Sequence, residues 1–306
     1  MEVKVVSWAE RSDREALRNI RQRVFIQEQG VPSDQEWDDL DAKAIHFMAM
    51  DGKRPVGCAR LLEDGYFGRM AVLAEHRGQH WGSRLLRAVG DYYQRELRGR
   101  ILKASVQAQA YNFYLTNGFT PEVEFFWDAG IPHLSMNKVL GRDSSPASHI
   151  FEAGVDGEIY HLENEAAIEG LFQIGCQNEP RNLVLAINQL QHPMWSSHAS
   201  LDSIKRYIRS SPRRKVQILL NAEYPGINDH PLIQLSHKMS SRIQVKVHSG
   251  LKNNGALFEP YGYLTATGAH VKTCFNDRSM TARYKEQFEE LWRSALPTRE
   301  ARRIHL

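Results

Sequence analysis

Cysteine is scarce in this chain of 306 residues, and its three cysteines, Cys58, Cys176 and Cys274, lie far apart without a Cys-x-x-Cys pair. Disulfide frameworks need paired cysteines and structural zinc sites need closely spaced ligands, so both are excluded. We read the thiols as buried or incidental. His76 and His80 do not have a spacing typical of metal ligands, and we therefore expect no bound metal.

Long apolar runs and a strong net charge are also missing. No stretch approaches the about 18 apolar residues that a membrane-spanning helix needs, and the amino terminus alternates charged with apolar residues instead of forming a signal-peptide core. We therefore expect a cytoplasmic protein without a membrane partner. The formal net charge is only +3, and the densest basic run, residues 213–215, has no interleaved aromatic residues, which argues against nucleic acid as a partner.

The length suggests two domains, at roughly 100–200 residues per domain. A stretch rich in serine, with glycine and proline, at residues 141–150 is typical of a linker. We therefore predict a first domain at residues 1–140 and a second, smaller α/β domain at residues 151–306.

Hydrophobic periodicity predicts strands around two long helices in the first domain, the helices at residues 11–25 and 78–97. The expected strands are at 3–8, 44–50, 55–62, 67–73, 101–106, 122–127 and 133–139. In the second domain the apolar runs at 183–187, 216–220 and 243–247 are separated by helical segments. Strands that alternate with helices favour a partly parallel sheet.

The segment most informative about chemistry is residues 68–86, which reads as a strand, a short glycine-containing loop and a long helix. The start of a helix has unpaired N–H groups and a partial positive charge, so it can hold a diphosphate through backbone atoms. Glycine lets the backbone approach the phosphates because no Cβ is in the way.

This segment resembles the acetyl-CoA loop of the GNAT acetyltransferase superfamily, written (R/Q)xxGx(G/A). Arg77 and Gly82 match its ends, and His80 stands in place of the middle glycine. Residues 110–119, Ala-Tyr-Asn-Phe-Tyr-Leu-Thr-Asn-Gly-Phe, are similar to the superfamily's A…FYxxxGF helix. The flanking segments 23–29 and 130–136 resemble a bacterial branch of small acetyltransferases, so the resemblance covers about residues 1–140.

The resemblance implies a GNAT-type fold, a mixed and strongly twisted sheet with flanking helices, in which the strands at 67–73 and 101–106 splay apart. It also implies acetyl-CoA as co-substrate, with its pantetheine arm on the exposed backbone of the first of these strands and its diphosphate on the N–H groups of residues 78–83. The implied binding residues are Ala71, Val72, Leu73, Arg77, Gly78, Gln79, His80, Trp81, Gly82 and Ser83.

The implied reaction is direct acyl transfer, in which a neutral amine attacks the thioester and CoA thiolate leaves. The superfamily's acid, a tyrosine, corresponds to Tyr114. An ordinary tyrosine pKa of about 10 leaves it protonated at neutral pH. The alternative is that Tyr114 only packs in the core. Glu28 is the predicted base, because the matching region of this branch faces the acceptor cleft; the alternative is a surface carboxylate.

Four further residues are predicted to contact the acceptor amine. Glu36 and Asp41, in an acidic loop, would attract a cation, unless that loop is merely solvated. His46 and His133 titrate near neutrality and would relay a proton, unless they are structural. The acceptor itself is left open between a small-molecule amine and a protein amine.

Residues 183–296 show a faint resemblance to one half of a phospholipase-D-type domain, without that family's HxKxxxxD motif. It implies a degenerate, non-hydrolytic domain of unknown role that would bind a phosphate-bearing partner or aid formation of a homodimer. The leading prediction for the whole chain is an acetyl-CoA-dependent N-acetyltransferase. The alternatives are a non-catalytic acyl-CoA-binding or sensor protein and, less favoured, a module associated with nucleic acid.

Overall fold

A computed structural model describes residues 2–141, 149–221 and 227–298 of the chain. The chain forms two compact units of similar length, residues 1–148 and 149–306. Most of the predicted linker at 141–150 lies outside the described residues. Within the described ranges, no helix is both long enough and apolar enough to cross a membrane.

The first unit alternates short strands with a few helices. Its strands are β1 (Glu2–Val6), β2 (Ile45–Asp51), β3 (Arg54–Leu61), β4 (Phe67–Val72), β5 (Ile101–Gln107), β6 (Thr120–Asp128) and β7 (Ile131–Val139). Its α-helices are α1 (Arg11–Arg21), α2 (Ser33–Glu36), α3 (Trp81–Arg95) and α4 (Tyr111–Thr116). A π-helical segment, Gln22–Glu28, continues α1, and 3-10 turns cover Asp39–Lys43, Ala74–His76 and Ala108–Ala110.

The strands of the first unit form two sheets that separate between β4 and β5. One sheet has the antiparallel order β1-β2-β3-β4 and the other the order β5-β7-β6. The two meet at a single parallel bridge between Tyr66 and Lys103, where Lys103 N–H donates to the Gly65 carbonyl at 2.9 Å. Beyond that bridge β4 and β5 diverge, which confirms the predicted splay.

The long helices of the first unit bury one apolar face each. Leu17 and Ile20 of α1 pack in a core cluster with Met48 of β2 and Cys58 of β3. On α3 the buried side chains recur at helical spacing: Trp81, Leu85, Leu86, Val89 and Tyr93. This periodicity is the reason that sequence alone predicts both helices.

The second unit is an α/β domain around one sheet. Its strands are β8 (Tyr160–Glu163), β9 (Asn182–Ile187), β10 (Val216–Leu220), β11 (Ile243–Val247), β12 (Asn254–Glu259), β13 (Gly262–Thr267), β14 (His270–Cys274) and β15 (Leu296–Pro297). Its α-helices are α5 (Glu165–Gln177), α6 (Pro193–Ser196), α7 (His198–Ser210), α8 (Pro231–Lys238) and α9 (Arg278–Ser294), and Ile227–Asp229 forms a 3-10 turn.

The sheet of the second unit has the order β15-β11-β10-β9-β12-β13-β14-β8. Strands β9, β10 and β11 are parallel, while the others pair antiparallel. Helix α9 covers one face through Phe288 and Trp292, which pack against Val184 and Leu219. The partly parallel sheet and the α/β class of the whole chain are therefore confirmed.

Candidate active site

A bulge in β4 shapes the edge of the opening between the two sheets. The pairing of β3 with β4 slips by one residue between Cys58 and Arg60. The extra residue lies in β4, where Arg69 has a φ of 49° in the left-handed region. Because a bulge bends its strand and re-aims its side chains, this segment of β4 lines the pocket described next.

A pocket of about 360 Å³ opens where β4 and β5 separate. Its walls come from β3, β4, β5, α4 and the turn between β6 and β7. Aromatic and aliphatic side chains such as Phe67, Met70 and Ile131 form much of the lining, and Asp128 and His133 are among its polar members. Apolar and polar side chains thus contribute about equally to the lining, so the pocket offers both apolar contact and hydrogen-bonding groups to a small molecule.

Tyr114, the predicted acid, lines this pocket from α4. Its ring packs edge-on against Phe113 and Phe119, with centroids 5.2 and 5.4 Å apart, and its hydroxyl lies 4.0 Å from the Met70 sulfur. Burial raises the pKa of Tyr114 above its ordinary value. The phenol therefore keeps its proton at neutral pH, as a proton donor must. The neighbouring Tyr111 is fully buried and serves packing.

The loop before α3 is exposed, and its backbone visits the left-handed region twice. Gly78 has a φ of 75° and His80 a φ of 61°. His80 thus adopts a conformation that glycine favours, at the position where the superfamily pattern has glycine. Histidine is among the non-glycine residues found there more often than most, so the replacement preserves the local backbone path.

Helix α3 begins without a capping side chain. His80 is its N-cap residue and makes no side-chain cap hydrogen bond. The helices α5, α7 and α9 of the second unit instead begin at Asn164, Ser197 and Asp277, each of which accepts a backbone N–H. The first-turn N–H groups of α3 are therefore left for another partner. His80 and Ser83 also share a surface depression with Arg84 and Arg87.

Arg77 and Glu28, two predicted site residues, bind each other. The Arg77 guanidinium donates to both Glu28 carboxylate oxygens at 2.5 and 2.7 Å, and its Nε donates to the Val72 carbonyl at 2.9 Å. Glu28 does not line the pocket. Its predicted role as base is therefore corrected, because the carboxylate that would accept a proton is held by a guanidinium. The pair instead positions the loop that follows β4.

The backbone of β4 also corrects the predicted pantetheine contacts. Leu73 N–H donates to the Val56 carbonyl of β3 at 2.9 Å, and Ala71 is the β3-paired residue opposite Cys58. Neighbouring residues of an antiparallel strand direct their backbone groups to opposite sides. Ala71 and Leu73 thus bond to β3, and Val72 is the residue whose backbone faces the opening.

The other residues predicted to bind the cofactor in this loop and at the start of α3 lie in different environments. Gln79 is exposed and Ser83 half-buried, so their N–H groups stay near the surface. Trp81 is buried, and its indole nitrogen has no hydrogen-bond partner among the residues that the structure describes. At Gly82 an added Cβ would lie 2.9 Å from the Phe113 ring, which explains the need for glycine by packing against the pocket wall.

Three arginines and three carboxylates form a cluster at the base of the acidic loop: Arg21, Arg60, Arg69, Glu36, Asp38 and Asp41. Arg21 bonds Glu36 at 2.5 Å and Asp41 at 2.8 Å. Arg60 bonds Asp41 at 2.9 Å. Each buried carboxylate is thus matched by arginine, as burial of charge requires.

This cluster corrects two predicted substrate contacts. Asp41 is 2% exposed and does not line the pocket. Glu36 does line it, but Arg21 and Arg69 neutralise its charge. Glu36 and Asp41 are therefore neither solvated surface carboxylates nor free charges that would attract a cation. The sequence shows its acidic residues but not the arginines that meet them.

The two predicted histidines are separated by the fold. His46 is buried outside the pocket, stacks on Trp8 with centroids 4.8 Å apart, and its Nε2 lies 2.8 Å from the Asp41 carbonyl. Burial lowers the pKa of His46. Its predicted substrate contact is corrected to a structural role. His133 does line the pocket, where its Nδ1 lies 2.9 Å from the Ile131 carbonyl.

Sequence reasoning missed Asp128 and an amide chain in this pocket. Asp128 ends β6, and no motif marks it. Gln109 donates to Gln107 at 2.7 Å, and Gln107 donates to Gln29 at 2.9 Å, which links β5 to the end of the π-helical segment. Within the described ranges, no group of three or more histidine, cysteine or acidic side chains is arranged to hold a metal.

Comparison with known proteins identifies the class to which this fold and pocket belong. The family model of the acetyltransferase (GNAT) domain matches residues 12–140. The chain belongs to the GNAT acetyltransferase family and is an acyltransferase enzyme through this first unit.

Among individual relatives, the chain is 39% identical over 125 residues to the uncharacterized N-acetyltransferase YjcF of Bacillus subtilis, which covers 39% of this chain and 87% of YjcF. It is 30% identical over 128 residues to the protein ElaA of Escherichia coli, covering 40% of this chain and 84% of ElaA. The crystal structure of Escherichia coli ElaA matches with 27% identity and a TM-score of 0.42, over 45% of this chain and 99% of that one.

The second unit matches a different family model, that of a domain of unknown function, at residues 164–304. The resemblance to a phospholipase-D-type domain is therefore not borne out. That resemblance rested on β9, β10, β12 and the stretch that leads from residue 275 into α9, and short apolar strands look alike in many α/β domains.

Proposed function

We propose that the first unit transfers the acetyl group of acetyl-CoA directly to a primary amine. The observation that carries this proposal is the opening between β4 and β5. Strand β4 runs from the pocket that holds Tyr114 to the exposed loop before α3. Strand β4 thereby connects the pocket, where the acetyl group and the amine would react, with the loop where the diphosphate of acetyl-CoA would bind.

The residues at the loop fit the donor's anionic end. The first-turn N–H groups of α3 have no capping side chain, and Arg84 and Arg87 flank them. Anions bind favourably at such helix starts. The Val72 N–H, which faces the opening, would donate to a pantetheine carbonyl, because the Val72 carbonyl already accepts from Arg77. The left-handed backbone of His80 keeps this path despite the missing glycine.

The chemistry assigned to the pocket is proton transfer to the leaving sulfur. The nitrogen of the neutral amine bonds to the acetyl carbon and loses a proton to solvent, the C–S bond breaks, and the Tyr114 hydroxyl supplies a proton to the thiolate and regains one from solvent. The raised pKa of Tyr114 keeps the donor protonated over the working pH range. A positioned acid of this kind contributes about 10²–10⁴-fold to rate.

Two measurements on the full chain test the proposal. Calorimetric titration with acetyl-CoA should show binding, and release of free thiol should depend on added primary amine. Absence of heat would refute donor binding. Binding without amine-dependent thiol release would favour the second candidate, an acyl-CoA sensor, to which the loop geometry applies equally.

Tyr114→Phe tests the assigned acid. We expect kcat to fall about 100-fold or more, because the sulfur then leaves without a proton donor, while calorimetry shows unchanged acetyl-CoA affinity. Tyr92→Phe is the matched control, since Tyr92 lies on α3 outside the pocket. Full turnover in Tyr114→Phe would reduce Tyr114 to a packing role.

A further inference from the structure

We propose that Asp128 and His133, at the hairpin of β6 and β7, form the amine end of the site. The Asp128 carboxylate holds the acceptor's ammonium group, and His133 Nε2 removes its proton. This assignment rests on the proposed function and deepens it. It makes the acceptor a primary ammonium cation.

The charge of the pocket points to Asp128. At one part of the lining, Glu36, Arg60 and Arg69 belong to the arginine–carboxylate cluster, whose three arginines and three carboxylates balance in charge. Asp128 is exposed and lines the same pocket, and it forms no ion pair with any residue that the structure describes. The uncompensated charge of the pocket is therefore negative, which favours a cation.

The hydrogen bonding of His133 identifies which ring nitrogen can act. Nδ1 lies 2.9 Å from the Ile131 carbonyl, and a carbonyl only accepts, so Nδ1 carries the proton in the neutral ring. The lone pair then sits on Nε2. The ring is 7% exposed and stacks on Phe126 with centroids 6.0 Å apart, which holds it in one orientation at the pocket wall.

The surroundings of His133 favour a neutral ring. Burial lowers the pKa of His133, while its bond to Ile131 and the negative charge of Asp128 oppose that shift. From β5 the residue opposite His133 is the uncharged Gln107, and from β6 it is Phe126. A neutral imidazole beside a carboxylate accepts a proton, and the carboxylate stabilises the imidazolium that forms.

The proposed step needs only the side chains of the pocket and solvent. A proton moves from the bound ammonium to His133 Nε2, and the freed nitrogen pair forms the bond to the acetyl carbon. The C–S bond breaks, and the leaving sulfur takes the Tyr114 proton. The new amide nitrogen loses its second proton to solvent, His133 releases to solvent the proton that it took from the ammonium, and Tyr114 regains one from solvent. His133 thus takes the role of base that the sequence analysis gave to Glu28, and Tyr114 keeps the role of acid.

His133→Asn gives a matched test, because the asparagine amide retains a donor for the Ile131 carbonyl and removes the base. Thiol release is measured with acetyl-CoA and a panel of primary alkylamines that includes n-hexylamine. We expect kcat/KM to fall about 100-fold or more with unchanged acetyl-CoA affinity. The loss of wild-type activity at low pH should disappear from the profile. His46→Asn is the control, since that buried histidine lies outside the pocket and should leave the profile unchanged.

Asp128→Asn should raise KM for the amine about fivefold, the effect of losing one exposed ion pair of about 1 kcal/mol. It should also move the acid limb to lower pH, because removing the carboxylate lowers the pKa of His133 further. An unchanged limb in both variants of a working enzyme would overturn the inference. Thiol release with no amine at all would instead defeat the proposed transfer.

Ring-nitrogen NMR of His133 in the full chain tests the same inference without turnover. We expect a proton on Nδ1 and none on Nε2 at neutral pH, and a lower titration midpoint in Asp128→Asn. A proton on Nε2, or a midpoint that ignores Asp128, would overturn the assignment of His133 even if no acceptor amine had been found.

Discussion

Two buried carboxylates, one in each unit, are accommodated in opposite ways. Glu36 of the first unit is 2% exposed and bonds to two arginines. Glu169 of the second unit is 1% exposed, and its Oε1 accepts from the Ser197 and Ser200 hydroxyls and from the Gln173 amide. Charge balances charge in the first case, and only neutral dipoles meet the carboxyl in the second.

The difference shows that burial alone does not decide how a carboxyl behaves. Burial raises the pKa of both groups, but Arg21 and Arg69 oppose the shift at Glu36. At Glu169 the opposition comes from hydrogen bonds alone, and burial raises the pKa to about 7. Glu36 in the first unit is thus stabilised by ion pairs, whereas Glu169 in the second unit is a carboxyl that titrates near neutrality.

We expect the largest change in stability when Arg21, the arginine that contacts both buried carboxylates, is replaced. Arg21→Met leaves Glu36 and Asp41 buried with less compensation, and breaking a buried pair in this way costs about 3–5 kcal/mol in the free energy of unfolding. Urea denaturation with hydrogen exchange over residues 11–61 would measure it. Arg11→Met is the control, because the Arg11–Glu15 pair is exposed and worth less than about 0.5 kcal/mol. Equal losses in the two variants would contradict the comparison.

The second region should respond to pH. The folded pKa of Glu169, about 7, lies above the ordinary 4.5, so the fold favours the protonated carboxyl. Its stabilising contribution is complete below pH 4.5 and is lost as the pH rises to about 7, a change of roughly 3 kcal/mol. Hydrogen exchange of α5 and α7 at pH 5 and pH 8 should show this loss in the wild type and not in Glu169→Gln. Glu165→Gln, an exposed change on the same helix, should keep the loss. A pH-independent wild type would refute the assignment.

We expect the smallest change in stability at the exposed ion pair of Arg77 and Glu28, which contrasts with the two buried carboxyls. Glu28→Gln breaks the bond to Arg77, whose side chain and partner are both more than a third exposed, so unfolding should change by less than about 1 kcal/mol. Thiol release should fall less than tenfold, because Glu28 positions a loop and accepts no proton. A loss of 100-fold, the scale of a missing base, would restore the original assignment of Glu28.

The elements most easily predicted from sequence were those with one strongly apolar face or a fully apolar run. Strands β10 and β11 have the predicted limits, 216–220 and 243–247, because each is a short apolar or alternating run between polar segments. Strands β8 and β14, of which β8 is at the edge of the sheet, were not predicted. They have only four and five residues, and two residues in each are histidine, lysine or glutamate, so they are too short and too polar for a period to stand out.

The residues of the site also divide into those that sequence predicts and those that it does not. Tyr114 and the loop before α3 are local motifs, and local motifs can be read along the chain. Glu28, the partner of Arg77, is 49 residues away in sequence, and Arg21 and Arg69 lie 15 and 33 residues from the Glu36 that they contact. Such pairings depend on which elements the fold brings together. Asp128 gave no signal, because an aspartate next to a turn is ordinary.

The Arg77 guanidinium joins three parts of the first unit. It grips Glu28 where the π-helical segment ends and Val72 where β4 ends, and its own backbone begins the loop to α3. A ligand that binds this loop contacts a segment whose conformation is already restricted by these hydrogen bonds. Less conformational entropy is therefore lost on binding. Because the tether is exposed, added salt weakens it. Affinity for an anionic donor should therefore decline with ionic strength for two reasons. Salt screens the attraction between the donor and the loop, and it also weakens the Arg77–Glu28 ion pair that positions the loop.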